Sequence, residues 1–148
     1  MHYIGIDVGK SGGFAIVSGN GVEAYPWDDE KFIDAMQPMQ SRNAIVYVEK
    51  VGAMPKQGVT SMFNFGKSAG FIEGVLSAYN IPYQLVPPQT WKKEYSLNHD
   101  KGASITVCER LFPNVDLHRT ERCTTKHDGM AEALLIAEYA RRKSGAGQ

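Results

Sequence analysis

The chain has 148 residues, 43% of them apolar and 22% charged, with a formal net charge of zero. That length suits a single domain that buries roughly 68–70% of its unfolded surface and needs no disulfide or structural metal to hold it. No stretch approaches the roughly 18 apolar residues of a membrane span, the N-terminus carries no secretory or transit signature, and Cys108 and Cys123 fit no zinc or redox pattern and read as reduced thiols of a cytosolic protein.

The first strand is expected over Tyr3–Val8, with Asp7 embedded in an apolar run. A carboxylate there needs a partner or a metal, because burying an unpaired charge is costly. A glycine-punctuated turn, Gly9-Lys-Ser-Gly-Gly13, leads to a hairpin partner over Gly12–Val17. Asn20-Gly21 signals a type I′ turn into a third antiparallel strand over Val22–Tyr25. Asp28 or Asp29 caps a helix over Phe32, Ile33 and Met36 that ends before Pro38. A short apolar strand over Ala44–Val48 closes at Glu49.

After a loop over Val51–Gln57, a long helix is predicted from about Val59 to Tyr79, with Met62, Phe65, Ala69, Ile72, Leu76 and Tyr79 inward. Gly66, Gly70 and Gly74 recur every four residues on it, a spacing that suits close approach of another backbone. Pro82–Val86 reads as a strand that Pro87-Pro88 breaks. A helix follows over about Gly102 to Phe112, then a polar loop over Pro113–Thr125, then a last helix from about His127 to Arg142. Residues from about 143 to 148 read as a flexible tail. The order β-β-β-α-β-α-β-α-α describes a mixed five-stranded sheet, three antiparallel strands and then two parallel ones, flanked by helices.

Four carboxylates stand where a site can form. Asp7 is on the first strand and Glu49 ends the fourth, so the two meet if those strands are neighbours. Asp128 and Glu132 are four apart on the last helix and share a face. Together they would make a hard, oxygen-rich cage suited to Mg²⁺ or Mn²⁺. Two such ions about 3.5–4 Å apart activate water and stabilise the leaving oxygen of a phosphodiester. Each residue also has a plainer reading: Asp7 as a turn cap, Glu49 paired with Lys50 or Lys56, Asp128 as the helix N-cap, Glu132 as a solvated helix residue. His127 is a ligand, a proton carrier or a cap.

Several segments carry a resemblance. Ile4-Gly-Ile-Asp-Val-Gly9 with Ser11-Gly-Gly-Phe14 resembles the opening of RuvC-like Holliday junction resolvases, especially those of bacteriophages. Tyr47-Val-Glu-Lys50 is similar to their second acidic motif, and Phe65–Gly74 to their glycine-bearing helix. Val86-Pro-Pro-Gln-Thr-Trp-Lys-Lys93 with Asp100-Lys-Gly-Ala-Ser104 is similar to their basic segment. Lys126–Ala137 is similar to their closing acidic helix. The first motif also resembles the phosphate-binding hairpin of sugar kinases and actin-like ATPases.

The resemblance implies an RNase H-like fold, a homodimer, and metal-dependent endonuclease chemistry on four-way DNA junctions in recombination and repair. It implies cytoplasmic action in a bacterial or phage-infected cell, without a membrane or a nucleotide cofactor. It carries the metal-ligand role onto Asp7, Glu49, Asp128 and Glu132. One departure stands out. The final ligands of the cellular resolvases are three apart, whereas Gly129 lies three before Glu132 here and the acid is at Asp128. How Asp128, Glu132 and His127 divide the last positions is therefore open.

A junction nuclease must hold many phosphates. Residues 1–84 carry six Lys/Arg against eight Asp/Glu, and residues 85–148 carry ten against eight, so the basic excess lies in the second half. Lys92, Lys93 and Lys101 are candidates for phosphate contacts, and Lys101 also for stabilising charge at the scissile group. Arg119, Arg122 and Lys126 precede the acidic helix and are candidates to track the backbone. Phe63 and Phe65 cannot share one helix side, so one is free to stack on an unpaired base. The glycine-spaced helix is the leading candidate for a two-fold interface. The competing readings are a fork or RNA–DNA hybrid nuclease of the same fold, an actin-like phosphotransferase, and a non-catalytic junction-binding protein.

Overall fold

The computed structural model describes residues 1–52, 56–97, 100 and 102–145. Five strands, β1 (His2–Asp7), β2 (Gly13–Ser18), β3 (Gly21–Pro26), β4 (Ala44–Glu49) and β5 (Tyr83–Val86), form one sheet in the order β3-β2-β1-β4-β5. β1 to β3 pair antiparallel, while β4 joins β1 and β5 joins β4 in parallel. This is the mixed sheet that the order of elements predicts.

The central strand is covered on both sides, and its period of two sorts the side chains. Ile4 and Ile6 point with Val46 and Val48 toward α1 (Asp29–Met36) and α2 (Val59–Ala78), packing with Phe32, Met36, Ile72 and Leu76. Tyr3 points the other way, with Ala15, Val17 and Tyr47, toward α5 (Asp128–Lys143). α3 (Pro88–Glu94) and α4 (Ala103–Leu111) pack on that same side through Trp91 and Cys108. Asp7 is in phase with Tyr3, so it shares the α5 side.

α5 sits unusually close to the sheet. A Cβ on Gly5 would run into the Ala133 carbonyl oxygen and the Ala137 amide nitrogen. A Cβ on Gly129 would strike the Ser11 carbonyl oxygen, and one on Gly13 would come within 3.3 Å of the Gly129 carbonyl. Glycines on both partners thus let helix backbone rest on strand backbone.

The prolines make the expected breaks, α1 ending at Met36 and β5 at Val86, and each then opens a new helix. Pro88 occupies the first turn of α3, where the missing amide is no loss and the fixed φ suits a helix. Pro38 likewise lies in the first turn of a 3-10 helix over Gln37–Ser41. The β2–β3 link is not the predicted type I′ turn. Ser18 pairs with Gly21, and the positive φ falls on Gly21, at 131°, while Asn20 has none. A type I′ turn needs positive φ at both central residues. α5 continues through Lys143, and the rest of the expected tail, residues 146–148, lies outside the described residues.

Gly5→Ala would force the helix off the sheet, because the atoms it meets are backbone and cannot rotate away. Overpacking of this kind costs about 1–3 kcal/mol. Urea unfolding of Gly5→Ala should show a lower midpoint with little change in slope, equivalent to that loss of unfolding free energy.

Candidate metal centre

The two strand carboxylates meet because β1 and β4 are parallel neighbours. Ile6 is in register with Val48, so Asp7 and Glu49 follow side by side at the C-terminal edge of the sheet. Gly9 opens the turn after Asp7 with φ 122°, a conformation open to glycine and little else. The Gly12 amide donates to the Gly9 carbonyl at 3.0 Å, closing the turn. Glu49 is fixed twice. Its strand is held to β5 by the Glu49–Val86 pair, and its Oε2 accepts from the Trp91 indole N–H at 2.9 Å.

The third carboxylate comes from α5. His127 caps that helix, its Nδ1 accepting from the Met130 amide at 3.0 Å. The neutral ring therefore carries its proton on Nε2, and burial lowers the His127 pKa, with Asp128 opposing and Arg119 adding to the effect. One turn further on, Glu132 reaches over the sheet edge. Asp7, Glu49 and Glu132 each place an oxygen within 4.8 Å of the other two. Asp128 does not join this group. It is exposed at the first position of α5 and lines the groove beside Glu132.

The three carboxylates destabilise one another. Burial, then the charges of Glu49 and Glu132, hold Asp7 well above the ordinary carboxylate range, and hydrogen bonds to both neighbours add to the shift. Burial also raises Glu132, opposed by Lys92 and reinforced by Glu49 and Asp128. A desolvated, like-charged set of hard oxygen donors is chemically suited to a small divalent cation such as Mg²⁺ or Mn²⁺.

Two grooves open on the cluster. The larger, about 1200 Å³, runs between Glu49, the loop after β4 and the face of α3 that carries Lys92 and Lys93. The smaller, about 420 Å³, lies over the Gly9–Gly12 turn and reaches Ser61, Asn64 and Ser68 of α2. Phe65, Asp128 and Glu132 line both and form the ridge between them. Phe65 is half-buried against the core, and Phe63 is 67% exposed. Arg119 and Arg122 are exposed on the loop before α5. Lys126 is tied to Glu109 at 2.6 Å, which neutralises part of the charge expected for the backbone track. Lys101 lies outside the described residues.

The Trp91–Glu49 contact is the part of the site that the sequence did not show. Those residues are 42 apart, and the proline pair before Trp91 hides the short helix that carries it.

No protein-family model matches this sequence, and no curated protein matches it either. Solved structures do. Thermus thermophilus RuvC aligns over 98% of this chain and 97% of its own, at 15% identity and a TM-score of 0.61. T. thermophilus RuvC in complex with Holliday junction substrate aligns over the same shares, at 14% identity and a TM-score of 0.64. Ydc2, the yeast mitochondrial Holliday junction resolvase, aligns over 98% of this chain and 83% of its own, at 12% identity and a TM-score of 0.53. The likeness is one of fold, and the chain has the RNase H-like fold of RuvC.

The raised carboxylates make metal-free stability depend on pH in a defined direction. Below the ordinary carboxylate pKa, near 4, Asp7 is protonated whether folded or not, and its contribution to stability is fully present. As pH rises through the raised folded-state value, that contribution is lost. Glu138 and Asp116, held low by Arg141 with Arg142 and by His118 respectively, act in the opposite sense. The difference between two proteins isolates the site. In chelator, Asp7→Asn should match the wild type in weak acid and become the more stable of the two toward neutral pH, measured by urea midpoints.

Proposed function

We propose that this chain is a metal-dependent, structure-selective endodeoxyribonuclease that resolves four-way DNA junctions by paired phosphodiester hydrolysis. The observation that carries the reading is the convergence of Asp7, Glu49 and Glu132 at the edge of a RuvC-like sheet, opening on grooves edged with lysine. The likeness to a RuvC solved with Holliday junction substrate supports the choice of DNA. Such a role belongs in the cytoplasm of a bacterial or phage-infected cell.

Asp7, Glu49 and Glu132 would hold the metal, with Asp128 extending the ligand set from the groove. Two Mg²⁺ or Mn²⁺ ions bound there supply an activated water and charge compensation for the leaving oxygen. Water adds to phosphorus and the bond to the 3′ oxygen breaks, leaving 5′-phosphate and 3′-hydroxyl ends. Lys92 and Lys93 line the larger groove and would seat the flanking phosphates, with Arg119 and Arg122 extending the track. Lys101 would stabilise charge at the scissile group. Phe65, on the ridge between the grooves, and exposed Phe63 would stack on unpaired bases at the crossover.

Paired nicks need two sites, and the outer face of α2 supports a two-fold partner. Val59, Phe63, Gly66, Gly70 and Gly74 form one helical stripe, the first two being 88% and 67% exposed. Among the described residues, no atom outside the helix's own backbone and adjacent residues lies within 4 Å of a Cβ built on any of the three glycines. A second copy of the chain laid along this stripe would bury it.

Cleavage of a synthetic four-way junction, a fork and an RNA–DNA hybrid tests the reading. Symmetric nicks in the junction, present with Mg²⁺ and absent with EDTA, are expected. Asp7→Asn and Glu49→Gln should each lower the rate by at least about 10–100-fold, the loss typical of even an outer-shell metal partner, while junction binding persists. Unchanged cleavage in both variants would sink the assignment of the site. For the dimer, Gly70→Arg has room within its own chain and should fold normally. Sedimentation should then show a monomer where the wild type is a dimer.

A further inference from the structure

Trp91 is fully buried, and its indole N–H donates to Glu49 Oε2. A buried indole N–H needs an acceptor, but an acceptor could have been a backbone carbonyl. Here it is one of the three clustered carboxylates. α3 holds the ring from outside the site. The Tyr95 hydroxyl donates to the Leu135 carbonyl at 2.8 Å, and Glu94 lies 3.6 Å from both Arg142 and Lys143 of α5. The donor is therefore anchored to the same helix that carries Glu132.

We propose that Trp91 is a positioning residue for the carboxylate cluster, fixing the rotamer of Glu49 so that the three carboxylates are gathered before the cation arrives. The proposal rests on the metal-binding reading above. The physical need is plain. Three clustered carboxylates repel, and without a tether Glu49, half-buried at the rim of the site, would swing toward solvent. With Oε2 tied to a rigid indole, it cannot rotate away without stranding a buried donor. Preorganisation of this kind appears as metal affinity, because ordering of the ligands is complete in the free protein.

Trp91→Phe keeps most of the ring and removes the N–H. Calorimetric titration of the full chain with Mn²⁺ alone should show binding weakened about 10–100-fold in Trp91→Phe, with junction affinity in chelator unchanged. A residue that only fills the core would give the reverse, lower stability with unaltered Mn²⁺ affinity, and that result overturns the proposal. The wild type gives an independent readout if the variant fails to fold. In a ¹⁵N-labelled sample, the Trp91 indole resonance should move with added Mg²⁺ along the same curve as metal binding, while that of Trp27, bonded to Asp29, stays fixed. An unmoved Trp91 resonance in a protein that binds Mg²⁺ overturns the proposal alone. Absence in the wild type of any Mn²⁺ site that Asp7→Asn removes overturns the metal reading with it.

Discussion

The rest of the molecule depends on how closely α5 rests on β1 and β2. Gly5 and Gly13 on the strands and Gly129 on the helix remove the side chains that would otherwise separate the two backbones. That closeness brings Glu132 down to the level of Asp7. It also accounts for the spacing of the acids. The position three before Glu132 faces the Ser11 carbonyl, so it accepts no side chain at all, and the available acid moves out to Asp128 at the lip of the groove.

The site places the protein's electrostatic strain at one edge of a well-packed sheet. Asp7 is buried beside two other carboxylates, and Lys92 is the cation that offsets Glu132. Among the described residues, Glu94, Glu109 and Glu138 by contrast each have a cationic partner. Glu138, buried further along α5, accepts hydrogen bonds from Arg141 and Arg142 and is held low. One helix therefore carries a neutralised glutamate and an under-compensated one about a turn and a half apart. That contrast singles out Glu132, because the other buried carboxylate of the helix, Glu138, is paired with two arginines.

The sheet was legible in the sequence because its strands are short apolar runs, buried on both faces in β1 and β2, and glycine and proline turns bound them. Asp7 and Glu49 were legible for the same reason: polar residues at the ends of apolar strands have few structural duties. Asp128 and Glu132 were not separable, since a spacing of four gives a shared helix face but no depth below the surface. Only the packing of α5 shows that Glu132 reaches the other acids. α3 was hidden because seven residues are too few for a periodic signal and its leading prolines read as a stop. Of the predicted inward positions of α2, Ile72 and Leu76 are fully buried and Phe65, Ala69 and Tyr79 pack partly buried against the core, while Met62 does not join it. The glycines of α2, expected to meet another backbone, meet none among the described residues.

The three clustered acids come from widely separated parts of the chain, at positions 7, 49 and 132. β1 must first accept β4 across a parallel crossover, and α5 must then close over both. Long-range pairing of this kind forms slowly, because loop-closure entropy is lost before any contact compensates for it. The carboxylates therefore come together only when the last helix docks. On a ribosome, Asp7 and Glu49 emerge well before Glu132, so a nascent chain that stops short of α5 holds at most two of the three acids. Topology itself keeps partly folded copies from assembling the site.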